Sequence, residues 1–359
     1  MRCSDSAAPR SPADTGTGRM TTPSPPRPRR SWCLIIGSIT LALLAACGTS
    51  ATEPSATGTS PIGTAVDSTS VRPDATDQID LGNGRSIYLE CRGSGSPTVV
   101  LVSGLGGRAD DWMITNDPTQ ADRAVFPGVA TRTRVCAYDR PGTASSGDAG
   151  WELSRSTPVA DPATVKDSAV DLDALLTAAG EPGPYVLVGH SLGGPIVRLF
   201  ASEHPARVAA LVLVDGLSED LGDGLTPAQL ESFEALNDPA TQGRPAGSEA
   251  TFYTAAVVPQ LRAAPPAPEV PTIVLSADQW PFTAEVIAAG DFPPFVTSEF
   301  TDALWASQLE AQDALAATFP GATHITETSA GHYIHHDQPE LVIDSIQEVV
   351  DRVRSAEPR

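Results

Sequence analysis

The chain has 359 residues, with 23 Lys and Arg against 44 Asp and Glu, a formal charge of −21, and 41% hydrophobic residues. That apolar share is ample for one large domain with appendages. The acidic balance argues against nucleic acid or an anionic lipid surface as a partner, because both would be repelled.

Near the start, Pro25 to Arg30 (PPRPRR) is basic and precedes Trp32 to Ala46 (WCLIIGSITLALLAA), an uncharged apolar run. Its length suits the core of a signal peptide better than a bilayer span. The run ends in Leu44-Ala45-Ala46-Cys47, which resembles the lipobox of bacterial lipoproteins. The resemblance implies that residues 1–46 are removed, that Cys47 is lipidated as the mature N-terminus, and that the protein is anchored at the outer face of the bacterial cell membrane. A single-pass anchor with an incidental cysteine is the competing reading. Arg29-Arg30 leaves twin-arginine export open beside the general route, and either Met1 or Met20 can be the start. Losing residues 1–46 removes six arginines and two aspartates and leaves a formal charge of −25. Membrane attachment would therefore come from lipid, not from a basic patch.

From Gly48 to about Thr76 the chain is rich in Ser, Thr, Pro and Gly and poor in large apolar residues, so 47–76 reads as a disordered tether. The folded domain is expected over 77–355. Asn83-Gly84 between two short alternating runs predicts a hairpin over Gln78 to Cys91. Pro97 to Ser103 (PTVVLVS) and Arg134 to Asp139 (RVCAYD) read as the third and fourth strands, and Asp161 to Ala179 as an amphipathic helix. Tyr185 to Val188 is a fifth strand and Val208 to Val214 a sixth; between them Leu192 onward has helical periodicity. After Leu217 this rhythm lapses until about Pro268, in a stretch rich in Gly, Pro, Asp and Glu. Strand signals return at Pro271 to Ser276 and Thr323 to Thr328, and helical ones at Leu304 to Phe319 and Pro339 to Val353. Strands alternating with helices predict an α/β domain with a mostly parallel sheet and helices on both faces.

Between the fifth strand and its helix stands Gly189-His190-Ser191-Leu192-Gly193. A serine between two glycines at these offsets can be held on a sharp bend with its Oγ exposed, the glycines leaving room that a Cβ would obstruct. A G-x-S-x-G match arises by chance roughly 0.2 times in a chain this long, so its place between a strand and a helix carries the weight. On that motif and context the sequence resembles the α/β-hydrolase family, whose nucleophile elbow is this strand, turn and helix.

The resemblance assigns further parts. Ser191 would be the nucleophile. Gly104-Leu105-Gly106-Gly107 ends the third strand where the family presents an oxyanion-hole amide, so Leu105 and Leu192 would supply the two N–H donors, although Ser103 replaces the usual His. Asp139-Arg140-Pro141-Gly142 looks like the family's D-R-x-G loop, without a catalytic part. The stretch 217–268 corresponds to a cap inserted after the sixth strand, where Phe233, Phe252, Tyr253, Val257 and Leu261 either line an acyl pocket or hold the cap together. Family strand order makes the second and fourth strands neighbours, which implies a Cys91–Cys136 disulfide in an exported protein; the alternative is two buried free thiols.

A serine hydroxyl needs a base, and the base needs a carboxylate to orient it. The family order of Ser, acid, His points to His332, just past the last strand, as the base. The acid is expected to be Asp278, past the strand Pro271 to Ser276, with Asp215, past the preceding strand, as the alternative. His335 and His336 are expected to decorate the approach to the last helix. A metal cluster built from His332, His335 and His336 competes, but no Cys or carboxylate pattern at ligand spacing accompanies it. The expectation is a cofactor-free carboxylic ester hydrolase acting on a small-molecule ester through an acyl-enzyme. An aminopeptidase, a perhydrolase, or a non-catalytic surface binding protein on the same scaffold remain alternatives. Epoxide hydrolases and haloalkane dehalogenases of this fold carry Asp at the elbow, so Ser191 speaks against both.

Overall fold

Asn83 and Gly84 adopt φ of 54° and 74°, the left-handed values that a two-residue hairpin turn requires. They join β1 (Ala75–Gly82) to β2 (Arg85–Arg92) as an antiparallel pair. The computed structural model describes residues 74–356 other than 118, 120–122, 148 and 291. The expected signal segment 1–46, Cys47 and the tether as far as residue 73 lie outside the described residues. β1 starts at Ala75, two residues inside the stretch expected to be tether.

β3 (Val99–Val102) and β4 (Val135–Tyr138) follow, with a short 3₁₀ turn at Ala109–Met113 and α1 (Val125–Ala130) between them. A hairpin the sequence did not signal, β5 (Ala144–Gly147) and β6 (Gly150–Leu153), stands apart as its own two-stranded sheet. Its Ser-rich strand ASSG lacks the apolar alternation by which strands are read. Next come α2 (Val165–Ala178), begun by a reciprocal cap between Thr164 and Asp167, then β7 (Tyr185–His190), α3 (Gly193–Glu203) and β8 (Val208–Val214). The insertion contains α4 (Pro227–Leu236) and α5 (Val258–Ala263). β9 (Thr272–Leu275), α6 (Ala284–Ala289), α7 (Ser298–Ala317), β10 (Thr323–Ile325), α8 (Ile334–Asp337) and α9 (Pro339–Ala356) complete the chain. No helix among the described residues is long and apolar enough to cross a membrane.

The main sheet has the order β1-β2-β4-β3-β7-β8-β9-β10, parallel from β4 to β10. Because side chains alternate along a strand, its central strands feed two cores. Val100, Val102, Leu187 and Leu211 meet Leu172, Ile196 and Leu315 of α2, α3 and α7 on one face. Val99, Leu101, Val186 and Val212 meet Phe126 and Val349 of α1 and α9 on the other. The result is the three-layer α/β architecture.

Two consequences position the site. From β3 the chain moves to β4 on one side and later to β7 on the other, so strand order reverses between β3 and β7, the place where sheets of this kind bind ligands at their strands' C-terminal ends. In the antiparallel β2–β4 register, Cys91 stands opposite Cys136, and a disulfide joins them. In the insertion, Phe233, Tyr253, Val257 and Leu261 are buried in the α2–α3–α7 core. Four of the five residues considered for an acyl pocket are thus packed into the domain, and only Phe252, at 38%, is exposed.

Candidate active site

Ser191 directly follows β7 with φ of 50°, a left-handed value that a serine rarely adopts. The glycines around it explain why the bend is possible. A Cβ on Gly189 would lie 2.6 Å from the Gly193 carbonyl oxygen, and one on Gly193 would lie 2.1 Å from that of Val102. The backbone is held from the next strand: Ser191 N donates to Val214 O at 3.2 Å, and Ser191 O accepts from Gly194 N and Leu217 N, each at 2.9 Å. The Oγ has no hydrogen-bond partner among the described residues and is left available for chemistry. Strain of this kind is stored where surrounding structure over-determines the conformation.

The loop after β3 lies against this bend. A Cβ on Gly104 would fall 2.8 Å from His190 Nδ1 and 3.0 Å from Ser191 Cβ, so only glycine allows the approach. Neither Leu105 N nor Leu192 N has an acceptor among the described residues, although Leu192 is buried. The rest of the loop is tightly bonded. Arg140 Nη1 and Nη2 donate to Ser103 O and Gly104 O at 2.8 and 2.7 Å, and Gly106 N donates to Glu249 Oε2 at 2.8 Å.

His332 and the carboxylate it meets come from two further loops. His332 Nδ1 stands 2.5 Å from Asp215 Oδ2. A carboxylate oxygen only accepts, so Nδ1 carries the proton and Nε2 presents a lone pair. Asp215 is the residue after β8, directly beside Ser191 in register, since His190 pairs with Val214. Its φ of 43° turns the side chain out of the strand path, and its Oδ1 accepts from Ala277 N at 3.1 Å and Gln308 Nε2 at 3.3 Å. Asp278 does not meet His332, which corrects the expectation from sequence. Its two oxygens accept from Ser329 N at 3.0 Å and Ala330 N at 2.9 Å, so this carboxylate anchors the loop that carries His332. His332 is brought toward the elbow by its own backbone: His190 Nε2 donates to His332 O at 3.0 Å, and the two rings are 4.7 Å apart. No hydrogen bond links Ser191 to His332 in this structure; such contacts often tighten only with substrate bound.

The model of the family described as the alpha/beta hydrolase fold matches residues 97–308. The chain belongs to that family. It is similar to an uncharacterized protein of Schizosaccharomyces pombe, 33% identical over 149 residues, covering 36% of this chain and 26% of that protein. It is also similar to the RutD protein of Variovorax paradoxus, provisionally named a carbamate hydrolase, 37% identical over 124 residues, with 34% of this chain and 38% of that protein covered. The chain thus spans between a quarter and two fifths of the length of these relatives. Among solved structures, the haloalkane dehalogenase DatA from Agrobacterium tumefaciens C58 aligns over 78% of this chain and 97% of its own, with a TM-score of 0.50 and 16% identity, a likeness of fold alone.

Beside the elbow of this α/β hydrolase lies a second group of imidazoles, His335 and His336, expected from sequence to decorate the approach to the last helix. His335 is fully buried, and its Nε2 donates to Asp111 Oδ2 at 3.1 Å. His336 Nε2 donates to Asp111 O at 2.9 Å and lies 3.2 Å from Asp111 Oδ1. The ligand atoms of Asp111, His335 and His336 converge within 4.8 Å of one another. Burial lowers the His335 pKa to about 4, helped by the neighbouring His336 and opposed by Asp111. Burial also lowers His190 well below the usual imidazole range, with His335 and His332 adding to the effect. Burial would raise Asp111, but hydrogen bonds from His335 and His336 hold it well below the usual carboxylate range. For His336 burial lowers the pKa, but Asp111 outweighs it and the net shift is upward. Asp111 was missed because its partners lie 224 and 225 residues away. Glu249 was missed for the same reason.

Proposed function

We propose that the protein is a serine hydrolase that transfers an acyl group from a carboxylic ester to Ser191 and then to water. The observation that carries this reading is the hydrogen bond from His332 Nδ1 to buried Asp215, one strand from a serine held at positive φ. In this mechanism Ser191 Oγ attacks the ester carbonyl while His332 Nε2 takes its proton. Asp215 fixes the imidazole tautomer and stabilises the imidazolium that forms. Leu105 N–H and Leu192 N–H receive the developing oxyanion; donors of this kind lower the barrier only if they are already aimed before charge appears. His332 then delivers the proton to the leaving alcohol, and a water activated by the same imidazole releases the acid. The provisional name of the RutD relative is compatible with this chemistry, since a carbamate carbonyl is open to the same attack. Esters are preferred here because their alcohols leave without prior protonation of an amine.

Ser191→Ala should abolish p-nitrophenyl ester hydrolysis and labelling by a fluorophosphonate while leaving the melting temperature near that of the wild type. Retained turnover would remove Ser191 as the nucleophile, and a preference for amino-acid naphthylamides over esters would remove the esterase assignment. The reading extends to placement: the enzyme works at the outer face of the cell envelope, held by lipid on Cys47. Cys47→Ala should then move the protein from the membrane pellet to the soluble fraction; an unchanged partition refutes the anchor.

A further inference from the structure

We infer that Glu249, supplied by the insertion between β8 and β9, is a positioning residue that aims the Leu105 amide through Arg140, so that the insertion governs the rate of acyl transfer. The inference rests on the serine-hydrolase reading above, because only there does the direction of that amide matter.

The argument starts from the peptide plane. The Gly104 carbonyl and the Leu105 N–H belong to one trans peptide unit and point in opposite directions. Whatever fixes the carbonyl therefore fixes the amide. Arg140 Nη2 holds that carbonyl at 2.7 Å, and Nη1 of the same guanidinium holds the preceding one, of Ser103, at 2.8 Å. The next peptide unit is gripped at both ends. Arg244 Nη2 donates to Leu105 O at 3.3 Å, and Gly106 N donates to Glu249 Oε2 at 2.8 Å. Gly104 and Gly106 flank Leu105, and a glycine-flanked segment does not hold its own conformation. Its rigidity is imported.

Glu249 is the source. Its Oε1 accepts from Arg140 Nε at 2.6 Å and its Oε2 from Arg140 Nη2 at 3.0 Å, a two-pronged pair in which the side chains are only 2% and 4% exposed. Burial works against the Arg140 charge, but Glu249 more than compensates, and the Arg140 pKa is raised. The carboxylate is itself tied down, since Glu249 N donates to Gly142 O at 2.8 Å in the loop after β4. Remove Glu249 and the guanidinium loses its only described carboxylate partner while remaining desolvated, which leaves it free to abandon the two carbonyls for water. Planar, bidentate recognition makes Arg140 suited to this task in a way that lysine is not.

The test compares Glu249→Ala, Glu249→Gln and Glu249→Asp with the wild type, counting active sites by fluorophosphonate titration carried to completion so that misfolded protein is not scored. Glu249→Ala should lower kcat per titrated site by about 10²-fold, the scale set by loss of one oxyanion donor, with KM changed by less than about threefold. Binding of a trifluoromethyl ketone, which forms the tetrahedral adduct, should weaken in step with kcat. Glu249→Gln, whose single carbonyl oxygen can accept from Gly106 N and Arg140 Nη2 but whose NH2 faces the Arg140 Nε donor, should recover only part of the rate. Hydrogen exchange across residues 103–107 should quicken in Glu249→Ala. Should that variant fail to fold, Glu249→Asp keeps the charge, shortens the reach, and is expected to lower kcat about tenfold. A wild-type kcat in whichever variant folds, or unchanged exchange across 103–107, overturns the clamp. A wild-type protein that is not labelled at Ser191 defeats the hydrolase reading instead, and the exchange measurement still decides the clamp.

Discussion

His332 and His335, three residues apart in the chain, each pair with a distant aspartate, and the two pairings differ in what is left over. His332 bonds Asp215 through Nδ1, and its side chain is 41% exposed with Nε2 unspent. His335 bonds Asp111 through Nε2, is fully buried, and leaves Nδ1 buried without a partner among the described residues. The ingredients are the same; the exposed edge differs. An imidazole that offers a lone pair at a crevice can accept a proton from a substrate-directed group, whereas one sealed behind it can only hold elements together. Between the two stands His190, whose ring is 4.7 Å from His332 and 4.4 Å from His335, and which joins the working pair to the sealed one.

The sharpest way to break the comparison is to disable each carboxylate in turn. Asp215→Asn removes the charge that orients His332 and should lower kcat/KM by about 10³-fold or more, as the wrong tautomer is then favoured. Asp278→Asn, on the loop that carries His332, should act only through loop placement and lower kcat/KM far less. Steady-state ester hydrolysis of both purified variants checks this. An Asp278→Asn loss that matches or exceeds that of Asp215→Asn would reinstate the acid expected from sequence.

How far that choice was legible is instructive. The bend that carries Ser191 could be read because its evidence is local: an apolar strand, two glycines and a helical run within about a dozen residues. The aspartate that meets His332 could not, because Asp215 and Asp278 both follow parallel strands and look alike in sequence. What separates them is that the Asp278 carboxylate is already occupied by amides at Ser329 and Ala330, some fifty residues on, while Asp215 adopts a left-handed backbone that no pattern announces. The Cys91–Cys136 pairing was implied only by the strand order of the family that the sequence resembles, and the β2–β4 register bears it out. The β5–β6 hairpin was not legible, since a strand without apolar alternation leaves no trace. Glu249 and Asp111 act across more than a hundred residues of chain, and their roles exist only once the loops after β3, β4 and β10 are in place.

The smaller effect concerns pH, and it sharpens the contrast because the sealed pair should report on stability. His335 has a folded pKa of about 4 against an ordinary 6.5. Between those values the unfolded chain binds a proton that the folded protein refuses, so stability falls as pH falls. From pH 7 to pH 5 this amounts to about 2 kcal/mol for one such group. His190, also depressed, pushes the same way. His336, raised by Asp111, pushes the opposite way: its contribution is fully present below the ordinary imidazole value and is lost as pH rises through its folded one. Asp111, held low, enters only in stronger acid, where its stabilisation is lost as pH falls from the ordinary carboxylate range through its folded value. Denaturant melts at pH 7 and pH 5 should therefore show a loss of stability in the wild type that shrinks in His335→Gln, which has no proton to gain. An unchanged pH dependence in that variant would mean that the enclosed imidazole is not the group resisting protonation, and that the sealed pair is more open to water than its burial implies.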